Sequence, residues 1–367
     1  MYSYYPNNVP WSFYVQRLMD ETVQGAADFN ECQRALARIA DRDFEAWYRE
    51  WIKTAVSVER LAGEALKKGR TMTAKDAFLR AFTYYRTSQF WLEYDDERKT
   101  PAFAKALTCF QKFNAIPPVY YERLEIPFEG TTLPGYFSPA QNGGGRKPVV
   151  LYVGGADTFA EQLLYMGVSR ITRRGMSCLT ITGPGQGDVL RTKGLFSRPD
   201  YEKPIGAVLD VLEKRKDVDA KKMAVMGTSM GGYYGARGAS LDRRAVACLL
   251  FGACYSVLDD LYDFYPPLKL SLQHLIGAES PEEARKRLEA FTLKGVIEQM
   301  TCPLLIHHGA EDFIVSPEAA RKTYEGARCA KELRIWTAEE GGATHCMADN
   351  RAQAYAVMFD WLAEKLT

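Results

Sequence analysis

The sequence predicts an α/β architecture in which helices cover a mostly parallel sheet, preceded by an all-helical region. Three observations carry that expectation. Continuous apolar runs at Val149–Val153, Met176–Ile181, Val246–Phe251 and Pro303–His307 alternate with amphipathic stretches. Strands apolar on both faces belong to parallel sheets sandwiched between helices. The first 115 or so residues, by contrast, carry aromatic side chains at helical spacing and almost no strand signal. Finally, Gly227-Thr228-Ser229-Met230-Gly231 lies between the apolar run Met223–Met226 and a stretch of small, helix-compatible residues. Strand, G-x-S-x-G and helix form the context of an elbow that holds a serine in a strained backbone at the top of a sheet.

The elements follow in order. Phe44, Trp47, Tyr48, Trp51 and Ile52 give one aromatic helix face. Thr73 with Asp76 resembles a capping box opening a helix that carries Phe78, Phe82 and Tyr85. Phe103, Leu107, Phe110 and Phe113 predict a further helix, stopped by Ile116-Pro117-Pro118. Tyr120–Ile126 and Leu133–Phe137 read as a hairpin pair. Helices are then expected around 161–173, around 201–215, after the elbow and at about 351–366, with a last strand over Glu332–Trp336. Residues of about 255–300 interrupt the alternation after the sixth strand, on the edge where such sheets bind ligands, and so predict a cap insertion. The organisation is therefore a helical region at 1–117 and a sheet domain at 118–367.

Composition narrows the function. The net charge is +1, and no basic run is long enough to track a phosphate backbone, which argues against nucleic acid as a partner. No run of 18 apolar residues and no leader-like N-terminus is present, so no membrane role is expected and the location predicted is cytoplasmic. The eight cysteines are scattered without C-x-x-C pairs, which favours free thiols over disulfides or a zinc site.

A serine hydroxyl needs a base within hydrogen-bond reach and a third group to orient that base. On sheets of this kind the partners follow in the order serine, acid, histidine, each on a loop after a later strand. His307-His308-Gly309-Ala310-Glu311-Asp312 leaves the Pro303 strand, placing Asp312 or Glu311 at the acid position. Asp312 is preferred, because two residues past the Gly309-Ala310 turn its side chain returns to the sheet edge. His345 is the sole histidine in the loop after the last strand, where the base belongs. His307 and His308 read as strand-end residues, one of them buried. The oxyanion donors expected are the N–H of Met230 and, from Val153-Gly154-Gly155-Ala156-Asp157, that of Ala156 or Gly155. Gly183-Pro184-Gly185-Gln186-Gly187 lacks phosphate-loop spacing and reads as the turn after the next strand.

With these motifs assembled, the chain resembles the α/β-hydrolases that carry an N-terminal helical domain. That group includes bacterial 2,6-dihydroxypseudooxynicotine hydrolase and fungal hydrolases that shorten polyketide chains. The resemblance rests on Gly154–Thr158, Gly183–Gly187, Gly227–Tyr234, Cys302–Ile306 with His308-Gly309 and Asp312, and His345-Cys346 with Asp349-Asn350. It implies an α/β-hydrolase fold whose helical part serves as a cap, and it allows a homodimer. It also implies hydrolysis of a carbon–carbon bond beside a ketone, with a plain carboxylesterase as the alternative and an acyltransferase or cyclase behind both. The group's nicotine-pathway enzyme adds a cap-side carboxylate, for which Asp259, Asp260 and Asp263 are the local candidates. Further candidates for substrate contact are Asp157, Tyr233 and His274. Aromatic residues such as Tyr4, Tyr5, Trp11, Trp47, Trp91, Tyr262, Phe264 and Tyr265 suggest an apolar small-molecule substrate, or else a core. No metal or organic cofactor is required.

Overall fold

Asn8, Asp28 and Asp43 each turn a side-chain oxygen onto the N–H three residues on, and so open the first three helices. These are α1 (Val9–Thr22), α2 (Phe29–Leu36) and α3 (Phe44–Lys67), followed by α4 (Thr71–Ser88) and α5 (Lys99–Ala115). The computed structural model describes residues 2–118, 120–156 and 158–366. The chain divides into two compact units, Met1–Tyr120 and Tyr121–Thr367, and all five helices belong to the first.

The aromatic face expected on α3 is the core of this unit. Trp47 and Trp51 are buried, Trp51 stacks on Tyr84, and the Trp47 indole donates to the Thr87 carbonyl at 2.9 Å. Trp11 packs edge-on against Trp47 and stacks on Trp91, while the Tyr5 hydroxyl donates to the Ile39 carbonyl. Tyr5, Trp11 and Trp47 are therefore packed into one another as core. The buried Glu21 carboxylate is neutralised by Arg86 at 2.5 Å, an arrangement that would be costly with the arginine missing. One expectation fails here. Helix α4 begins two residues before Thr73, with Arg70 at its N-cap position and no side-chain cap bond. Thr73 is thus an internal helical residue, and Asp76 completes no capping box with it.

The second unit is an eight-stranded sheet in the order β1-β2-β4-β3-β5-β6-β7-β8. Its strands are β1 (Glu122–Phe128), β2 (Thr131–Ser138), β3 (Lys147–Val153), β4 (Ser177–Ile181), β5 (Val218–Thr228), β6 (Ala245–Phe251), β7 (Leu304–Gly309) and β8 (Lys331–Trp336). The β1–β2 hairpin is antiparallel and pairs antiparallel with β4; every other pairing is parallel. Val149 through Val153 are wholly buried, as an apolar strand covered on both faces must be. Because β3 through β8 run the same way, the loops after β3, β5, β7 and β8 leave one edge. The chain winds outward in both directions from β3, which makes that edge a topological switch point.

Two segments depart from regular form. The helix expected at 161–173 is broken into Ala160–Leu163, a π-turn over Leu164–Val168 and Ser169–Thr172. Gly167 sits at φ +119° at the break, and a Cβ there would lie 2.9 Å from the Phe359 ring. The close approach of the C-terminal helix Arg351–Leu366 thus sets the kink. Between β6 and β7 the chain forms only short helices, Lys269–Leu275 and Pro281–Leu288 being the longest, tied at the base by a Ser256–Thr292 bridge.

Helix Met230–Leu241 crosses the β3 loop so closely that a Cβ on Gly231 would meet the Gly154 carbonyl oxygen at 2.3 Å. Backbone atoms cannot swing aside. Gly231→Ala is therefore expected to cost more than the ~1–3 kcal/mol of ordinary overpacking. At about 2–4 °C per kcal/mol for a unit of this size, the unfolding midpoint should fall by more than about 6 °C. A midpoint within 2 °C of wild type, by calorimetry, would contradict this packing.

Candidate active site

Strand β5 ends at Thr228, and the next residue, Ser229, is held at φ +57°, ψ −132° before the helix Met230–Leu241 begins. A positive φ on a residue with a side chain costs of order 1–3 kcal/mol and persists only where the surroundings enforce it. Here they do. The Ser229 N–H donates to the Phe251 carbonyl of β6 at 3.0 Å, and the Gly232 N–H donates back to the Ser229 carbonyl at 2.8 Å. A Cβ on Gly227 would meet the Gly231 carbonyl oxygen at 2.3 Å, so the turn closes only with glycine at that position. The result is a half-buried serine whose Oγ stands at the carboxyl edge of the sheet.

His345 reaches that hydroxyl. Its Nε2 lies 3.0 Å from Ser229 Oγ, and its Nδ1 lies 2.7 Å from Asp312 Oδ2. Asp312 is buried and accepts the N–H groups of Ile314 and Val315 on its other oxygen, both at 2.9 Å. Burial alone would raise its pKa, but the imidazoles of His345 and His308 outweigh it and hold the carboxyl well below the usual range. An ionised Asp312 can only accept, so the shared hydrogen sits on His345 Nδ1. In the neutral ring Nε2 is then left to accept the serine hydrogen. Burial pulls the His345 pKa down, yet the adjacent carboxylate prevails and the net shift is upward.

The loop that presents His345 is organised by Asp349. Its carboxylate accepts the N–H groups of Gly342, Ala343 and Thr344 at 2.9–3.1 Å and the Thr344 hydroxyl at 2.6 Å. A Cβ on Gly309 would collide with the Ala343 carbonyl, so this loop rests directly on the end of β7. Glu311, the other acid candidate, donates its N–H to that same Ala343 carbonyl at 2.9 Å, and its side chain is exposed.

The β3 loop closes on the serine from the other side. A Cβ on Gly155 would lie 2.9 Å from Ser229 Cβ and 3.2 Å from Oγ, so this backbone is in contact with Ser229. Met230 is the first helical residue, and its N–H has no partner one turn back within the helix. Ala156 follows Gly155 in the same loop, whereas Asp157 lies outside the described residues.

The remaining candidates do not gather at this point. Tyr233 is buried, and its hydroxyl donates to the Pro199 carbonyl at 2.7 Å. Asp260 is buried and accepts the N–H groups of Tyr255 and Ser256, with Lys322 3.7 Å away. Asp263 pairs with Arg285 and Lys269. Asp259 and His274 are exposed on the short helical turns before β7. Among the described residues no cluster of three or more metal-ligating side chains occurs, and no helix is long and apolar enough to cross a membrane. All eight cysteines are free.

Two site neighbours escaped the sequence reading. His308 is buried, and its Nε2 lies 3.2 Å from Asp312 Oδ2 and 3.1 Å from the Val315 carbonyl oxygen. Strand alternation holds the signal, because adjacent residues of β7 face opposite ways. His307 accepts from the Trp336 indole, whereas His308 turns to the acid four residues on. The second is Cys346, at φ +51°, whose Sγ lies 3.3 Å from His345 Nε2 and 3.1 Å from Thr228 Oγ1. No spacing rule points to it.

Comparison with known proteins accords with this architecture. Residues 32–264 match the family described as Esterase FrsA-like, and residues 203–367 match the prolyl oligopeptidase family. The hydrolase acrC of Aspergillus aculeatus is 30% identical, the alignment covering 100% of this chain and 98% of that protein. The 20-hydroxy-prefusarin hydrolase FUS2 of Gibberella moniliformis is 29% identical over 96% of this chain and 95% of its own. Among solved structures, 2,6-dihydroxy-pseudo-oxynicotine hydrolase superposes with a TM-score of 0.82 at 26% identity, covering 95% of this chain and 96% of that one. The chain is thus an enzyme of the α/β-hydrolase fold, a hydrolase, and it belongs to the Esterase FrsA-like family.

Proposed function

We propose that the protein hydrolyses a small apolar substrate by nucleophilic attack of Ser229 on a carbonyl carbon. The observation that carries this reading is the continuous hydrogen-bonded line from Asp312 through His345 to Ser229, at 2.7 and 3.0 Å. His345 takes the hydroxyl proton as Oγ bonds to the carbonyl carbon, and Asp312 stabilises the imidazolium that forms. The N–H groups of Met230 and of Ala156 or Gly155 receive the negative charge that develops on the carbonyl oxygen. The intermediate collapses by expelling its leaving group, which takes the proton from His345. Water, deprotonated by the same histidine, then releases the acid from Ser229.

The bond broken is a carbon–carbon bond beside a ketone. Resemblance to 2,6-dihydroxy-pseudo-oxynicotine hydrolase over nearly the whole chain supports this choice. Such a leaving group departs as a carbanion, so the substrate must itself delocalise that charge, as a 1,3-dicarbonyl or an electron-poor aromatic ketone does. One observation favours a carboxylesterase as the second reading. Asp260 and Asp263, candidates for an additional acid, are engaged by backbone N–H groups and by Arg285. An alkoxide leaves without further help, so an ester needs no such group.

Ser229→Ala should lower kcat by at least about 10⁴-fold and abolish labelling by a fluorophosphonate, with an unchanged circular dichroism spectrum. Labelling that persists would place the nucleophile elsewhere. Because His345 must be neutral to act and its pKa is raised, kcat/KM should climb with pH through a limb lying above the ordinary histidine value of 6.5. Asp312→Asn should move that limb down and reduce the rate by roughly 10⁴-fold. A wild-type limb at or below 6.5 would contradict the coupling. Aryl 1,3-diketones should be cleaved at least as efficiently as short p-nitrophenyl esters. Ester turnover without diketone cleavage would leave the carboxylesterase reading.

A further inference from the structure

The turn after β4, Gly183-Pro184-Gly185-Gln186-Gly187, has no part in the proton transfers above, yet it is built with unusual tightness. A Cβ on Gly183 would fall 2.1 Å from the Tyr201 hydroxyl, and one on Gly185, at φ +83°, would fall 2.5 Å from Ser197 Cβ. Tyr201 stacks on Tyr234 at 3.5 Å, and Tyr234 shares a 2.6 Å hydrogen bond with Ser197. These contacts fix the one long polar side chain of the turn. Gln186 is buried, and its Oε1 accepts the Gly183 N–H at 3.0 Å, which leaves both amide hydrogens pointing outward. Its Nε2 donates to two successive carbonyls of the β3 loop, Gly154 at 2.7 Å and Gly155 at 2.8 Å.

In a trans peptide unit the C=O and the following N–H point in opposite directions. Holding the Gly154 carbonyl therefore turns the Gly155 N–H away from Gln186, and holding the Gly155 carbonyl does the same for the Ala156 N–H. Those are the two candidate oxyanion donors of this loop, and Gly155 is in contact with Ser229. The Gly155 carbonyl also accepts the Thr158 N–H, at a longer 3.3 Å. A glycine pair has broad conformational freedom, so loss of the two shorter Gln186 bonds would let these peptide planes rotate.

We propose that Gln186 is a positioning residue for the oxyanion hole. Its single amide fixes both peptide planes of the β3 loop, so that their N–H groups are presented before the oxyanion forms. This rests on Ser229 being the nucleophile, which fluorophosphonate labelling of the wild-type protein tests separately.

Gln186→Met keeps the length and removes both donors, while Gln186→Glu keeps the shape and sets a carboxylate against the two carbonyls. With a short p-nitrophenyl ester, each variant should lose about 10²-fold or more in kcat, the scale of a lost oxyanion donor. KM should stay within threefold, and the pH limb should not move, since His345 is untouched. An aryl trifluoromethyl ketone, whose adduct carries an oxyanion, should lose affinity in parallel with kcat/KM. Retention of kcat within threefold in Gln186→Met would overturn the proposal. So would a rate loss with unchanged trifluoromethyl ketone affinity, or failure of both variants to fold by circular dichroism, which would make the role structural. A wild type that takes no fluorophosphonate label overturns both readings. A labelled wild type with an unaffected Gln186→Met overturns this one alone.

Discussion

The backbone of Ser229 is held in a conformation it would not choose, and the rest of the site is arranged around that constraint. Its positive φ is enforced where three segments crowd together: the end of β5, the first turn of the following helix and the loop after β3. Gly227, Gly231 and Gly155 are the points of closest approach, and none leaves room for a side chain. The strain, of order 1–3 kcal/mol, is stored locally while the wholly buried strands on either side supply the stability that tolerates it. What it provides is a hydroxyl presented outward, beside a helix N-terminus whose first N–H groups lack intrahelical partners.

Asp312 and His345 are brought to that hydroxyl by loops that are themselves pinned. Asp312 spends one oxygen on the N–H groups of its own turn and the other on two imidazoles, so its carboxylate cannot wander. Asp349 gathers three consecutive N–H groups and thereby shapes the loop ending in His345. Gln186 does the equivalent for the loop after β3. Each group at the serine is thus oriented by a polar side chain one step removed from it.

The order of strands and helices was readable because parallel strands buried on both faces leave continuous apolar runs, as at Val149–Val153 and Val246–Phe251. The positions of Ser229, Asp312 and His345 were readable for a topological reason: each follows a strand of the same sheet, so all three must emerge at one edge. What local pattern hides is contact between distant segments. Nothing near Gln186 in sequence reveals the two carbonyls it holds some thirty residues away. The role of His308 required knowing which way the end of β7 faces. The break at Gly167 comes from a helix nearly two hundred residues further on. At Thr73 a plausible cap pattern was overridden by a helix that starts two residues earlier. Substrate-side candidates such as Tyr233 and Asp260 were polar or aromatic residues near the elbow or in the insertion, and their hydrogen bonds turn them to structural partners.

Ser229, rather than the neighbouring Cys346, is the residue proposed to form the covalent bond to the substrate. Rapid mixing with a p-nitrophenyl ester, acid quenching and mapping of the peptides by mass spectrometry tests it directly. The expected result is a burst of p-nitrophenol close to one equivalent of enzyme and an acyl group on the peptide bearing Ser229. An acyl group on the Cys346 peptide, or steady turnover with no acylated peptide at all, would contradict it.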